Sequence, residues 1–93
     1  MKEDILQAMV RENAFCRVEI EWCHYYEEIN KKPYWLVYFV SANNKDIRYP
    51  IETARGPIRQ FKSIDAAYAT VGKITEGRVS DIRIIPEPWW GSK

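Results

Sequence analysis

Histidine occurs once in this 93-residue chain and cysteine twice, and each shortage removes a class of chemistry. Nowhere do histidine, cysteine and carboxylates recur at the spacings that hold a metal ion. The one histidine, His24, directly follows Cys23 in a segment of strand-like alternation. Neighbours on a strand point to opposite faces, so these two do not make a Cys–His nucleophile pair. Cys16 and Cys23 share that segment and stand roughly 23 Å apart at about 3.3 Å per residue, beyond the about 7 Å that a disulfide tolerates. Two unpaired thiols suit a reducing cytoplasm, where the protein is expected to reside. The four glycines form no phosphate-cradling loop. Apolar runs are also short. The longest, residues 34–40, falls far below the about 20 residues that span a bilayer, so no membrane partner is expected. MKEDILQAMVREN at the start has no apolar stretch of the kind found in a signal peptide. Finally, a formal charge of +1 lacks the whole-domain basic excess of a protein held to nucleic acid by charge alone.

What the chain does have is bulk. Apolar residues make up 46% of it and aromatics 14%, with four Trp and six Tyr, enough for one small core and too much for disorder. Residues 3–12 read as a helix, with Ile5, Leu6, Met9 and Val10 on one stripe, Glu3 and Asp4 in the first turn and Asn13 as a stop. Residues 15–26 alternate: Cys16, Val18, Ile20, Trp22 and Tyr26 face one way, while Arg17, Glu19 and Glu21 form a wet side. The EEINKK run is a loop. Residues 33–41, apolar on both faces, read as a central strand, and SANNK turns the chain back. Ile47, Tyr49 and Ile51 mark a third strand, which Pro50 confines to an edge or distorts. Arg55-Gly56-Pro57 makes a tight reversal into a short fourth strand at 58–61. Ser63 caps a second helix with Ile64, Ala67, Tyr68, Val71 and Ile74 on its apolar face and Gly77 at its end. Residues 79–85 form the last strand.

The expected architecture is a single α+β domain over residues 1–85. It has a four- or five-stranded, mainly antiparallel sheet with two helices on one face, in the order α-β-β-β-(β)-α-β. The tail at 86–93, PEPWWGSK, either packs on the domain or stays exposed. There Trp89 and Trp90 are a candidate aromatic anchor, Trp being enriched at binding hot spots.

Charge is distributed unevenly. Residues 45–62 carry Lys45, Arg48, Arg55, Arg59 and Lys62 against Asp46 and Glu52, a local +3, whereas residues 12–28 sum to −4. Arg48, Arg55, Arg59 and Lys62 are therefore the candidate contacts to a partner. Tyr49 and Phe61, interleaved with them, would suit base stacking. The same asymmetry serves a protein partner, or a homodimer that pairs the acidic hairpin with the basic one. Charged side chains also belong on any exposed hairpin, and on edge strands they discourage stray pairing. Glu19 and Glu21, about 7 Å apart by strand rise, could in principle share acid–base work, but a solvated strand face explains them. No catalytic residue, cofactor or metal ligand is assigned.

The helix-strand-strand-strand-helix order resembles that of the double-stranded-RNA-binding domain. The lysine-rich helix start that grips phosphate in that family is replaced here by SIDAAYA, so its function does not carry over. A second resemblance lies in residues 52–71, where Arg59, Phe61, Lys62, Ser63, Asp65 and Ala67 follow an R-x-F-K-S-x-D-x-A pattern. That segment resembles one found in short uncharacterised proteins of bacterial plasmids and other mobile elements. It covers about a fifth of the chain, is partly a well-capped helix start, and implies an accessory protein of a plasmid, phage or other mobile element. The expected function is a small non-enzymatic binding or regulatory protein acting through protein contacts. The alternatives are a nucleic-acid-binding module using the hairpin at 45–62 and a small-molecule site lined by Trp22, Trp35 and Tyr38.

Overall fold

The structure is a computed structural model that describes residues 1–23 and 34–85. His24, the strand continuation at 24–26, the EEINKK loop, Pro33 and the tail with Trp89 and Trp90 lie outside the described residues.

Helix α1 (Glu3–Arg11) has Glu3 and Asp4 in its first turn and Arg11 in its last, each complementing the helix dipole. Leu6 and Val10, one turn apart, enter the core, and Met9 packs beside them. Ile5 belongs to the same apolar stripe but is 48% exposed, because the stripe is wider than the surface it packs on. Asn13, at φ 60°, turns the chain out of the helix in a conformation that asparagine tolerates.

Strand β1 (Phe15–Cys23) pairs antiparallel with β2 (Tyr34–Ser41), which pairs antiparallel with β3 (Arg48–Pro50). Helix α2 (Ile64–Thr75) then carries the chain across β1 and β2, so β4 (Ile82–Ile85) lies parallel to β1. The sheet is thus mixed, in the order β3-β2-β1-β4. Pro50 sits on the β3 edge, where its missing N–H is tolerated. The expected strand at 58–61 is reduced to two isolated bridges, Glu52 with Ile58 and Trp35 with Phe61. Ile58 pairs across the Thr53–Gly56 turn while Phe61 pairs with Trp35 of β2, so no consecutive ladder develops.

Ser63 caps α2 as expected, its Oγ accepting the Ala66 N–H at 3.1 Å. At the other end Glu76 (φ 54°) and Gly77 (φ 76°) are both left-handed. Ala67, Val71 and Ile74 are buried, but Tyr68, placed on the same apolar face by spacing, is 43% exposed.

Both helices cover one face of the sheet. Val18, Ile20, Val37 and Phe39 meet Leu6, Val10, Ala67, Val71 and Ile74 there, with Phe15 against Phe39 at 5.1 Å between ring centres. A bulge between Phe15 and Arg17 shifts the alternation at the start of β1. As a result Phe15, and not Cys16, joins the core.

Candidate functional site

The opposite face of the sheet carries the odd-numbered side chains of β1 from Arg17 onward and the even-numbered ones of β2. No described helix lies on it. Here the expected wet side of β1 turns out to be half-sealed. Glu19 is 7% exposed, and each carboxylate oxygen is held by a guanidinium: Arg17 Nε donates to Oε2 at 2.9 Å, and Arg48 Nε lies 2.8 Å from Oε1. Arg48 reaches Glu19 from two strands away, with its guanidinium 3.9 Å from the centre of the Tyr38 ring on the intervening β2. Its Nη2 lies 3.9 Å from Glu21. The register explains the lattice: Val40 pairs with both Arg17 and Arg48, and Glu19 pairs with Tyr38, so the charged groups meet above β2. Val40, the cross-strand partner of both Arg17 and Arg48, is fully buried with no described helix over it, a place suited to the methylene stems of the two arginines. Buried carboxylate and guanidinium groups are stable in such a setting only when each is paired, and here they are.

Tyr34, Leu36 and Tyr38 run along the same face of β2 as a half-buried row. Cys23 stands opposite Tyr34. Burial pushes its thiol pKa up and the nearby Glu21 charge pushes it further, the reverse of what an activated nucleophile needs. Both cysteines are free thiols. Among the described residues no three of His, Cys, Asp and Glu come together in a way that could hold a metal ion.

The four cations expected to act together are divided. Arg48 belongs to the outer-face lattice. Arg59 lies on the helix side of the sheet, bonded to Glu3 of α1 at 2.8 Å and 4.7 Å from the centre of the Phe61 ring. Arg55 and Lys62 are exposed, and neither forms an ion pair with a described residue. Strand alternation separates them: residue 48 points away from the core while 49 and 51 point into it, and Arg59 lies against the ring of the buried Phe61 and Glu3 of α1. The hairpin at 45–62 therefore does not present Arg48 and Arg59 on one surface.

Trp22, Trp35 and Tyr38 are divided in the same way. Trp22 and Trp35 are cross-strand partners with ring centres 4.5 Å apart on the helix side, whereas Tyr38 has the opposite parity and lies under Arg48. Among the described residues these three side chains are not brought to one side of the sheet.

A shallow cleft of about 530 Å³ opens instead beside the first turn of α1, between Lys2, Glu3 and Asp4 and the segment with Glu52, Thr53 and Arg59. Most of its charges are already paired. Glu3 holds Arg59, Glu52 holds the Met1 amino group at 2.7 Å, and Asp4 accepts the Ile5 N–H at 3.0 Å. It resembles a charged seam between α1 and the sheet edge more than a vacant binding site.

Among the described residues, no helix is long and apolar enough to cross a membrane. The chain matches no protein-family model, no curated protein and no solved structure.

The lattice around Glu19 was hidden in the sequence. Alternation assigned Glu19 and Glu21 to a side, but only the registers of three strands bring Arg48 over Tyr38 to meet them. Long-range pairing of that kind leaves no local spacing signal.

Proposed function

We propose that this chain is a small non-enzymatic binding or regulatory protein, acting in the cytoplasm, whose partner is another protein docked on the outer face of the sheet. The supporting observation is the row Tyr34, Leu36 and Tyr38, flanked by guanidinium and carboxylate groups held in place by one another. Aromatic and aliphatic groups ringed by oriented charges are the composition of an interface centre and its rim. Because Arg17, Glu19 and Arg48 constrain one another, they lose little conformational freedom on docking. The resemblance of residues 52–71 to segments in mobile-element proteins adds the proposal that the protein is an accessory of such an element. Partition, transfer or phage genes beside its gene would support that, and their absence would count against it.

A photo-cross-linking residue at Leu36, compared with one at the exposed Ala69 on α2, tests the docking face in cells. A discrete protein adduct from position 36 and none from 69 is expected. Adducts from both positions, or from neither, would overturn the proposal.

One observation favours a second reading: Arg55 and Lys62 are exposed and have no described ion-pair partner. Binding to random DNA or RNA at low salt that weakens steeply as salt rises, and falls further in Arg55→Ala and Lys62→Ala, would put nucleic acid in place of protein.

A further inference from the structure

The two edges of the sheet are unlike. Residues 52–59 and the chain start close over the end of β3: Glu52 N–H donates to the Met1 carbonyl at 2.7 Å, Arg59 N–H to Ile51 at 2.8 Å and Thr53 N–H to Pro57 at 2.8 Å. Among the described residues β4 has no neighbour on its outer side. The Val18 N–H donates to the Asp81 carbonyl at 2.9 Å, which sets the phase of the parallel ladder. With Val18 opposite Ile82 and Ile20 opposite Ile84, the backbone groups of 81, 83 and 85 turn toward β1. Those of Ile82 and Ile84 turn outward, two N–H and two C=O groups presented to an incoming strand.

We propose that this edge pairs with the same edge of a second copy, antiparallel and in one register, to give a continuous eight-stranded sheet. Twofold pairing needs the outward groups of 82 and 84 to face one another, which leaves three registers. Pairing 82 with 84 sets Arg83 directly opposite Arg83 of the second copy at the closest cross-strand position, which repels. Pairing 84 with 84 sets Ile82 opposite residue 86, a proline with no N–H to give. Pairing 82 with 82 sets Asp81 opposite Arg83, twice over.

These two side chains are already matched within the strand. Arg83 Nε and Nη2 donate to the two Asp81 oxygens at 3.1 and 3.2 Å. The edge therefore carries no uncompensated charge of the kind that keeps strands apart. In the pairing proposed, each carboxylate lies between two guanidinium groups and each guanidinium between two carboxylates. Ile82 of the two copies, half-exposed in the single chain, would meet on the helix side. This inference stands apart from the docking face proposed above, since it uses the sheet edge.

The test is sedimentation of the full chain over a concentration series, with circular dichroism confirming the fold of each variant. A concentration-dependent dimer is expected. Arg83→Asp, which sets carboxylate against carboxylate, should weaken it at least tenfold. The double exchange Asp81→Arg with Arg83→Asp should restore it, since it exchanges the two charges and keeps their complementarity. Ile82→Pro removes an outward N–H, together with a side chain that packs against the core, and should give monomer that circular dichroism shows to be still folded. A chain that stays monomeric at every concentration overturns the proposal. So does a dimer indifferent to Arg83→Asp, or one that the double exchange fails to restore; the last would reject the register.

Discussion

The two faces of this sheet exclude water by opposite means. On the helix side Val18, Ile20, Val37 and Phe39 are sealed by hydrocarbon from α1 and α2. On the outer side the fully buried Val40 sits between two arginines whose heads are pinned to Glu19. Hydrocarbon against hydrocarbon gains from burial without conditions. Ion pairs over hydrocarbon hold only while every partner is present, because an orphaned charge near the interior is costly. The first face therefore carries most of the stability. The second keeps oriented polar groups at the surface, which a covered face cannot do.

Breaking the covered face should have the largest effect. Phe39→Ala deletes a fully buried ring in contact with Phe15 and should cost about 3–5 kcal/mol in urea unfolding. A loss near 1 kcal/mol would mean that the helices contribute far less than their packing implies. On the outer face, Glu19→Ala leaves Arg17 without its carboxylate and Arg48 with only the more distant Glu21, at 3.9 Å. A loss of about 1–3 kcal/mol is expected, less than for a fully buried pair because both arginines retain contact with water. Replacing Arg17, Glu19 and Arg48 together by leucine or methionine should recover most of that loss, while abolishing adducts from position 36. If the triple variant is as unstable as Glu19→Ala, the lattice contributes more than its pairing.

The thiol of Cys23 sharpens the comparison on a smaller scale. Its raised pKa reflects burial first and the charge of Glu21 second. In a Cys16→Ser background, Cys23 should react with iodoacetamide at pH 8 several-fold more slowly than a free thiol. Glu21→Gln should speed the reaction about two-fold, by removing only the lesser cause. An equal rate in both variants would place the whole shift on burial.

Elements whose cause is local could be read directly from the chain. Ser63 followed by Asp65, with apolar residues at helical spacing, specifies the cap and start of α2, and Gly77 marks its end. Leu6 and Val10 specify α1 in the same way. What failed had a non-local cause. Ile58 and Phe61 look like strand residues, but their partners, Glu52 and Trp35, lie in different parts of the sheet. The extra residue at Cys16 is a bulge that alternation reads as one unbroken period. Arg48, Arg55, Arg59 and Lys62 are close in sequence, and two of them lie on opposite sides of the sheet. Tyr68 shows the limit from the other direction: spacing gives the direction a helical side chain points, and not whether anything stands there to cover it.

The smallest expected effect belongs to a contact on neither face. Arg11 Nε donates to Glu76 Oε1 at 2.8 Å across the ends of α1 and α2, on the exposed surface. That hydrogen bond is the main cause that lowers the Glu76 carboxyl below the ordinary glutamate range; desolvation opposes it, and the charges of Arg11 and Arg78 and a bond from Gln7 add smaller pulls downward. A carboxyl whose pKa falls on folding stabilises the folded state fully above its unfolded value of about 4.3. The contribution fades as pH drops through the lower folded value. Arg11→Ala should therefore move the Glu76 titration midpoint, followed by NMR, upward toward that ordinary value, and should flatten the acid limb of the stability profile slightly. Added salt should reproduce part of the change in the unaltered chain, because exposed pairs are screened. The stability lost in Glu19→Ala, where the carboxylate sits between two guanidinium groups against the sheet, should change far less with salt than that lost in Arg11→Ala. Equal salt sensitivity of the two losses would mean that the outer face is as wet as the helix ends, and the contrast between the two faces would collapse.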